Sequence, residues 1–348
     1  MAQIEIGGRI VGPGHRCFVI AEAGVNHNGD LDLGRALVRA AADAGADAVK
    51  FQTFSAERLV TATAPKATYQ IERTDPEETQ RGMLQGLELG MHEHQELIKE
   101  CARHNILFLS SPFDEESADL LAELDVVAYK VPSGEITNLP YLRHLASKRL
   151  PLIVSTGMSN MEEVASAVAA IRETADVPVV LLHCVSLYPA PAAGSNLRAM
   201  DTMRAAFGVP VGFSDHTEGS TIALAAVAMG ADMIEKHLTT SRSLPGPDHA
   251  ASLEPGELGL LIAEIRAVES ARGDGVKRPL PAEAATAATA RKSLVAAVDI
   301  PKGKVISRDM LAVKRPGTGL PPAQMETIVG RKARTTISAG SVITPEMV

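Results

Sequence analysis

A complete strand–helix–strand unit lies at residues 17–54, which read CFVIAEAGVNHNGDLDLGRALVRAAADAGADAVKFQTF. Its two ends are short apolar runs rich in β-branched residues, a pattern that is typical of buried strands. Between them, Asp30 is placed to cap a helix that runs from Leu31 to about Ala44, and Gly45 can end that helix. The unit therefore predicts two strands joined by a helix.

The same alternation of strand, loop and helix continues along most of the chain. The predicted strands lie at 17–24, 48–54, 106–112, 127–133, 151–157, 179–185, 211–216 and 233–239. Eight strands alternating with helices over about 250 residues predict an α/β fold of the (β/α)8 TIM barrel type, because an open doubly wound sheet usually stops at about five to seven strands. The stretch 60–90 is too long for an ordinary loop, and the sequence leaves open whether it is an active-site insertion or a mobile lid.

The composition argues against several classes of protein. The chain has 348 residues and a formal net charge of −8, so no basic surface is left over to bind nucleic acid or an anionic membrane. Its three cysteines, Cys17, Cys101 and Cys184, have neither the number nor the spacing of a disulfide framework or a zinc ribbon. The first residues lack the pattern of a signal peptide and no apolar stretch has the length of a membrane span, so we expect a cytoplasmic enzyme.

A change of composition near Gly273 predicts a domain boundary. Residues 273–292 carry charge, proline and small residues but few core positions, and they predict a linker with about one helical turn. Residues 293–348 contain short alternating segments broken by PKG, RPGTG, PP and SAG turns, which predict a small β domain. We therefore expect a barrel domain at 1–272, a linker, and a C-terminal domain.

In barrels of this type the active site lies at the carboxyl ends of the strands. The polar residues predicted at these ends are Glu22, Lys50, Gln52, Ser110, Ser111, Lys130, Ser133, Glu135, Ser155, Thr156, His183, Ser186, Tyr188, Ser214, His216, Glu235 and His237. Two lysines among hydroxyl groups suit a small dianion such as a phosphate ester. His216 and His237 end consecutive strands and can reach one point, an arrangement that suits a divalent metal such as manganese, iron or zinc.

Less specific interpretations of the same residues stay open at this point. Either lysine could pair structurally with a barrel glutamate, and a single strand-end histidine is more often a hydrogen-bonded core residue than a ligand. His183 and Cys184 are neighbours in a strand and point to opposite faces, so we expect a packed thiol at Cys184 and a site-facing side chain at His183. His92 and His94 diverge on a helix and are expected to be solvated.

Long, ordered motifs resemble the sialic acid synthase family. They are AEAGVNHNGD (21–30), AVKFQTF (48–54), YKVPSGEITNLP (129–140), STGM (155–158), LLHCVSLYPAP (181–191), GFSDHTEG (212–219), IEKH (234–237) and LPGPDHAASLEPGE (244–257). The similarity is greatest to the bacterial branch, whose members make N-acetylneuraminate and N,N′-diacetyllegionaminate. The tail from Ser293 resembles the antifreeze-like (SAF) domain that ends these enzymes.

The resemblance implies roles for particular residues. It implies a divalent metal at His216 and His237, usually manganese, with magnesium or cobalt as alternatives. Phosphoenolpyruvate would be held by Lys50, Gln52, Ser111, Lys130, Ser133, Ser155 and Ser214, and the sugar by Glu22, Tyr188 and Asp248. The expected catalytic residues are Glu22, Glu135, Lys50 and Lys130.

The resemblance also implies an assembly. Arg315 matches an arginine of the antifreeze-like domain that reaches the N-acetyl group of the sugar bound in the other subunit, which implies a domain-swapped homodimer. Ser186 stands where the family often has asparagine, so the fine detail of one substrate contact is left open.

The implied reaction condenses phosphoenolpyruvate with an open-chain N-acetylated amino sugar and releases phosphate. The sugar could be N-acetylmannosamine or 2,4-diacetamido-2,4,6-trideoxymannose. The motifs YPAP and LPGPDHAASLEP resemble the bacterial enzymes and favour the second sugar slightly. The residue types alone would also permit a metal-dependent aldolase or epimerase acting on a sugar phosphate. The C-terminal domain suggests a third interpretation, a protein that binds only ice or carbohydrate, but a barrel mouth with two lysines and a histidine pair argues against it.

Overall fold

The computed structural model describes residues 2–75 and 77–348. The chain forms two compact units, one ending at Gly273 and the other spanning Asp274–Val348. Among the described helices, none combines the length and the apolar character needed to cross a lipid bilayer.

The first unit is built around a parallel barrel. Its strands are β1 Ile4–Ile6, β2 Arg9–Val11, β3 Phe18–Gly24, β4 Ala48–Thr53, β5 Leu107–Pro112, β6 Tyr129–Val131, β7 Leu152–Ser155, β8 Val179–Cys184, β9 Val211–Asp215 and β10 Met233–His237. Strands β3 to β10 lie in chain order, and β10 pairs with β3. β5 and β6 pack side by side without a registered ladder among the described residues, so the barrel is nearly closed. The prediction of eight strands in a TIM barrel is confirmed.

Among the described residues, one α-helix follows each barrel strand, and the segment after β4 contains three further short helices. The helices are α1 Leu31–Asp43, α2 Ala56–Leu59, α3 Thr68–Arg73, α4 Gln80–Gln85, α5 Met91–Arg103, α6 Glu115–Glu123, α7 Leu139–Ser147, α8 Met161–Thr174, α9 Ala199–Phe207, α10 Thr221–Ala228, α11 Pro255–Arg272, α12 Ala284–Ala290 and α13 Met325–Ile328. Asp30 caps α1 as predicted, since its side chain accepts hydrogen bonds from the backbone N–H groups of Asp32 and Leu33.

Side chains of the barrel strands alternate between the interior and the surrounding helices. The interior cluster consists of Phe18, Ile20, Ala48, Leu109, Ala128, Ile153, Val180, Leu182 and Met233, with Ile4, Ile6 and Val11 of the hairpin β1–β2. The hairpin therefore closes one end of the barrel with apolar side chains. The interior positions two residues after Ile20, Ala48 and Ala128 are Glu22, Lys50 and Lys130. The apolar cluster therefore lies directly beneath a layer of polar side chains.

The second unit is a small domain with its own core. Strands β11 Ser293–Ala296 and β12 Leu311–Lys314 pair in antiparallel fashion. Buried residues such as Leu294, Ile300 and Ile337 pack beneath them. Helix α12 lies in the stretch predicted as a linker and runs for seven residues, more than the single turn expected. The N–H of Gly317 donates to the carbonyl of Ala288 at 2.7 Å, so this helix packs within the second unit.

Candidate functional site

A cavity of about 490 Å³ opens at the carboxyl ends of the barrel strands, and every strand from β3 to β10 contributes to its lining. It collects all the barrel residues that the family resemblance singled out, namely Glu22, Lys50, Gln52, Ser111, Lys130, Ser133, Glu135, Ser155, Ser186, Tyr188, Ser214, His216, His237 and Asp248. Arg315 lies in the second unit, directly after β12, and its side chain is exposed.

Two buried lysines from strands β4 and β6 form the polar floor of this cavity. Lys50 Nζ donates to Ser111 Oγ at 3.0 Å and lies 2.6 Å from Glu22 Oε2. Lys130 Nζ donates to Ser155 Oγ at 2.7 Å. Each ammonium group is therefore held by a hydroxyl group of the next strand, and both ammonium groups are positioned for an anionic ligand.

Glu235 lies between the two lysines. Its Oε1 is 3.5 Å from Lys130 Nζ and accepts a hydrogen bond from Ser214 Oγ at 2.8 Å, and its Oε2 is 3.7 Å from Lys50 Nζ. Burial alone would raise the pKa of Glu235, but Lys130 and Lys50 lower it to about 2. Burial lowers the pKa of Lys130, whereas Glu22 and Glu235 outweigh burial and raise the pKa of Lys50. Glu235 is therefore a lasting negative charge in the floor.

Glu22 differs from Glu235 in its protonation. Burial raises its pKa to about 7, against the opposing effect of Lys50. This carboxyl can therefore exchange a proton near neutral pH.

Gly24, at the end of strand β3, brings three of the site side chains together. It adopts φ +53°, and a Cβ there would lie 3.2 Å from Glu22 Oε1, 3.5 Å from Gln52 Nε2 and 3.7 Å from Asp248 Oδ2. Glycine at this position allows the left-handed backbone and leaves space between the three polar groups.

His216 directly follows strand β9 and His237 ends strand β10, and their ring centroids lie 5.5 Å apart. His216 Nδ1–H donates to the carbonyl of Val185 at 2.8 Å, which leaves Nε2 as the nitrogen with a free lone pair. His237 Nδ1 is buried without a hydrogen-bond partner in the described part of the chain, 4.0 Å from Asp248 Oδ2. The ring of Tyr188 packs beside them, tilted by 41° to the ring of His216 with the two centroids 4.2 Å apart.

The histidine pair fits a divalent metal. Burial lowers the pKa of both His216 and His237, so both imidazoles are neutral and can act as ligands. Among the described residues, no cluster of three or more His, Cys, Asp or Glu side chains forms a complete ligand set. Two neutral imidazoles, one with an unpartnered nitrogen, form an open site, the kind that takes its other ligands from water or substrate.

A buried ion pair supports the two histidines from the outer face of the barrel. Lys236 Nζ lies 2.9 Å from Asp215 Oδ2 and donates to the carbonyl of Thr217 at 2.5 Å. Both residues are 1% exposed. Because Asp215 precedes His216 and Lys236 precedes His237, this pair ties together the strand ends that carry both histidines.

The serine hydroxyls opposite β4 form a tight group around Gly157. The N–H of Gly157 donates to Ser133 Oγ at 3.1 Å, and Ser133 Oγ contacts Cys184 Sγ at 3.1 Å. A Cβ at Gly157 would lie only 2.3 Å from Ser186 Oγ. The motif STGM therefore requires glycine at this position, where a larger residue would displace the hydroxyl groups.

Comparison with known proteins places this site in a family. Residues 37–277 match the profile of the NeuB family, and residues 291–348 match the SAF domain. The chain belongs to the NeuB family. This confirms the resemblance to sialic acid synthases that the motifs predicted.

The relatives of this NeuB-family chain are similar over nearly their whole length. The N,N′-diacetyllegionaminic acid synthase of Legionella pneumophila is 47% identical over 331 residues, covering 94% of this chain and 93% of that protein. The enzyme of the same name from Campylobacter jejuni is 48% identical over 320 residues, covering 91% and 96%. A crystal structure of N-acetylneuraminic acid synthetase from Leptospira borgpetersenii in complex with citrate is 35% identical with a TM-score of 0.73, covering 82% of this chain and 95% of that one.

Two expectations about individual side chains of this NeuB-family protein are wrong. Cys184, not His183, lines the cavity, and His183 Nε2 bonds the carbonyl of Ser195 on the other face of the strand. His94 is fully buried and bonds Thr53 Oγ1 at 2.7 Å, whereas His92 is exposed as expected.

The sequence predicts Glu235 at a strand end, but the contacts that it makes with both lysines were not predicted. The signal that could have found it is its position two residues before His237, which puts both side chains on one face of the strand. Glu135, an expected catalytic residue, is half-buried and lines the cavity, and it accepts a hydrogen bond from Asn138 Nδ2 at 2.9 Å.

The stretch 60–90 contributes to the mouth of the cavity. Val60, Gln70, Gln80, Met83 and Leu84 line the cavity from helices α3 and α4 and from the turn after α2. The stretch is therefore an insertion beside the site, while its role as a mobile lid stays a prediction.

Proposed function

We propose that this protein condenses phosphoenolpyruvate with an open-chain N-acetylated amino sugar and water, giving a nine-carbon sugar acid and phosphate. The observation that carries the proposal is the convergence of Lys50 and Lys130 beneath the pair His216 and His237, in a barrel of the NeuB family. Lysines suit the phosphate and carboxylate of one small substrate, and the histidines suit activation of the other.

Lys130, Lys50 and the surrounding hydroxyl groups bind phosphoenolpyruvate in this proposal. Lys130 with Ser155, and Lys50 with Ser111, each offer an ammonium group beside a hydroxyl donor. These groups hold the phosphate in place while the C–O bond to it breaks, and they stabilise the dianion that leaves. Ser133, Ser214 and Gln52 add directed hydrogen bonds around the same ligand.

The carboxylates act on the carbon that becomes electron-poor. As the enol carbon of phosphoenolpyruvate bonds to the sugar aldehyde, positive charge develops at C2, and Glu235 and Glu135 stabilise it electrostatically. Glu22, with a pKa near 7, can accept the proton that is lost when water adds at C2. The proton released by the water goes to the alkoxide that forms from the aldehyde oxygen. The carbon–oxygen bond between C2 and phosphate then breaks, which leaves a keto group at C2 and releases phosphate.

His216 and His237 would hold the divalent metal, with manganese as the expected ion. A metal bound there would supply Lewis-acid polarisation of the aldehyde carbonyl. Tyr188 and Asp248, next to these histidines, position the sugar in this proposal.

The sugar proposed is 2,4-diacetamido-2,4,6-trideoxymannose, with N-acetylmannosamine as the alternative. Support comes from the two relatives that are 47% and 48% identical, both of which carry the name N,N′-diacetyllegionaminic acid synthase. We further propose that Arg315 reaches the N-acetyl group of a sugar bound in a second subunit, as part of a domain-swapped homodimer.

The test is phosphate release from phosphoenolpyruvate by metal-loaded protein, run in parallel with the two sugars. We expect release with at least one sugar and its loss when the metal is chelated. Absence of release with both sugars, from folded protein with manganese bound, would refute both proposed substrates and favour an aldolase or epimerase, or a third amino sugar.

A further inference from the structure

The cavity has two walls of different chemistry. One wall, here called the polar wall, is formed by the ends of the barrel strands. It includes the floor with the two lysines, together with the hydroxyl groups, carboxylates and histidines described above. The other wall, here called the apolar wall, consists of Leu59, Val60, Met83, Leu84, Leu87 and Phe113. These residues follow strands β4 and β5, so the apolar wall occupies one side of the mouth.

The apolar wall is a built part of the fold. Met83 and Leu87 form a buried cluster with Val25 and Phe54, and Leu59, Leu84 and Phe113 pack against this cluster. The rings of Phe54 and Phe113 meet edge to face with centroids 5.9 Å apart.

The insertion that carries most of the apolar wall is anchored by buried polar contacts. Lys66 is buried and its Nζ donates to Thr74 Oγ1 at 2.9 Å and to the carbonyl of Asp75 at 2.7 Å. Thr79 caps α4 through the N–H of Gly82. Polar contacts thus fix this segment where it borders the cavity.

The insertion offers few polar groups to a ligand. Among its described residues, Gln70 and Gln80 are the polar side chains that line the cavity, and Gln70 Oε1 already accepts the N–H of Ala67 at 2.9 Å. A hydroxyl group placed against the apolar wall would lose its water without gaining a partner, whereas a methyl group would gain apolar contact.

We propose that the apolar wall binds the methyl end of a 6-deoxy amino sugar and selects it over a sugar that ends in a hydroxymethyl group. The inference rests on the proposed function, since it assigns the far end of the sugar whose aldehyde lies at the histidines. Val60 and Leu84 are the specificity-determining residues, because both are half-buried and border the cavity, where they can contact the ligand. Leu84 also packs against the buried cluster, whereas Val60 lies outside it.

The experiment compares two sugars that differ at one atom, N-acetylmannosamine and its 6-deoxy counterpart. We expect a kcat/KM about 10- to 100-fold higher for the 6-deoxy sugar, because an apolar pocket discriminates a hydroxyl group to about this extent. Val60→Thr keeps the shape of the side chain and should reduce this ratio by about threefold or more, and Leu84→Gln should reduce it further. The matched control is Val276→Thr, at a position that is 61% exposed, which should leave the ratio unchanged.

A wild-type ratio near one, or a ratio that neither Val60→Thr nor Leu84→Gln changes, would overturn the inference. Phosphate release with both sugars at equal efficiency would refute the apolar wall as a selector while the proposed function stands. The same preference can be measured as binding. The two sugars are reduced at the aldehyde to alditols that cannot react, and the ratio of their Kd values is determined in the presence of phosphoenolpyruvate. That measurement decides the matter even if no phosphate is released and the proposed function fails.

Discussion

Lys130 Nζ donates to Ser155 Oγ and lies 3.5 Å from Glu235, deep in the barrel and 3% exposed. A group in this position binds a phosphate both before and during its departure, so its loss should affect binding and rate together. For Lys130→Met, which retains the volume of the side chain, we expect kcat/KM for phosphoenolpyruvate to fall by about 10²- to 10³-fold. Steady-state kinetics of phosphate release measures this, with Lys99→Ala on the exposed face of α5 as the control. Unchanged catalytic efficiency would contradict the assignment.

Glu22 should make the stability of the metal-free protein depend on pH. Its pKa is raised by burial from an ordinary 4.5 to about 7, so between these values the folded protein binds a proton that the unfolded chain has released. Stability from this group is therefore present below about pH 4.5 and is lost as pH rises toward 7. At roughly 1.4 kcal/mol for each pKa unit, the loss reaches up to about 3 kcal/mol.

Glu22→Gln should remove this dependence. Urea unfolding at several pH values should show the wild type losing stability relative to the variant from pH 4.5 to 7, with no further change above that. The exposed Glu5→Gln variant should follow the wild type throughout. Parallel curves for the wild type and Glu22→Gln would show that Glu22 has an ordinary pKa.

At the scale of elements, strands β9 and β10 are tied by Lys236 and Asp215, which are both 1% exposed. Removing one partner of a buried ion pair leaves the other charge without compensation, which typically costs about 3–5 kcal/mol. Lys236→Met should therefore lower the free energy of unfolding by that amount in urea titrations. It should also weaken manganese binding, because the residues next in the chain are His216 and His237.

The matched control is Arg308→Met, which removes an exposed partner of Glu326 and should change stability by less than about 1 kcal/mol. A double variant, Lys236→Met with Asp215→Leu, should recover part of the loss because no buried charge remains alone. If Lys236→Met were as stable as Arg308→Met, the ion pair would not be holding the two strands together.

The elements also show which parts of the fold the sequence could predict. The strand positions and the cap at Asp30 depend on local patterns, and the sequence predicted them. The sequence does not show which side chains of a strand point into the barrel, because parallel barrel strands are apolar on both faces. Leu182, His183 and Cys184 illustrate this, since a shift by one residue exchanges the site-facing and helix-facing side chains.

The role of Glu235 was hidden for a different reason. It depends on Lys50 from β4 and Lys130 from β6, strands that are distant from β10 in sequence and whose side chains meet it only in the barrel interior. The structure of 60–90 was equally out of reach, because its short helices lack a long apolar period, and their packing depends on Val25 and Phe113 from other loops.

At the scale of the whole molecule, the barrel unit carries the lysines and histidines, and the C-terminal unit carries Arg315. If Arg315 completes the site of a second subunit, a chain with a defective barrel can still donate a working arginine. Lys130→Met and Arg315→Ala are each expected to be weakly active alone. In dimers formed from both variants, one site would combine an intact barrel with an intact arginine.

Refolding the two variants together should therefore restore about a quarter of the wild-type phosphate release, since about half of the dimers are mixed and each holds one intact site of two. The control pairs Lys130→Met with Ser155→Ala, two lesions in the barrel that cannot complement each other. If phosphate release is restored when Lys130→Met is mixed with Arg315→Ala but not when it is mixed with Ser155→Ala, Arg315 must act between subunits. Activity no greater than the sum of the separate variants would instead place Arg315 at the site of its own chain, or outside any site.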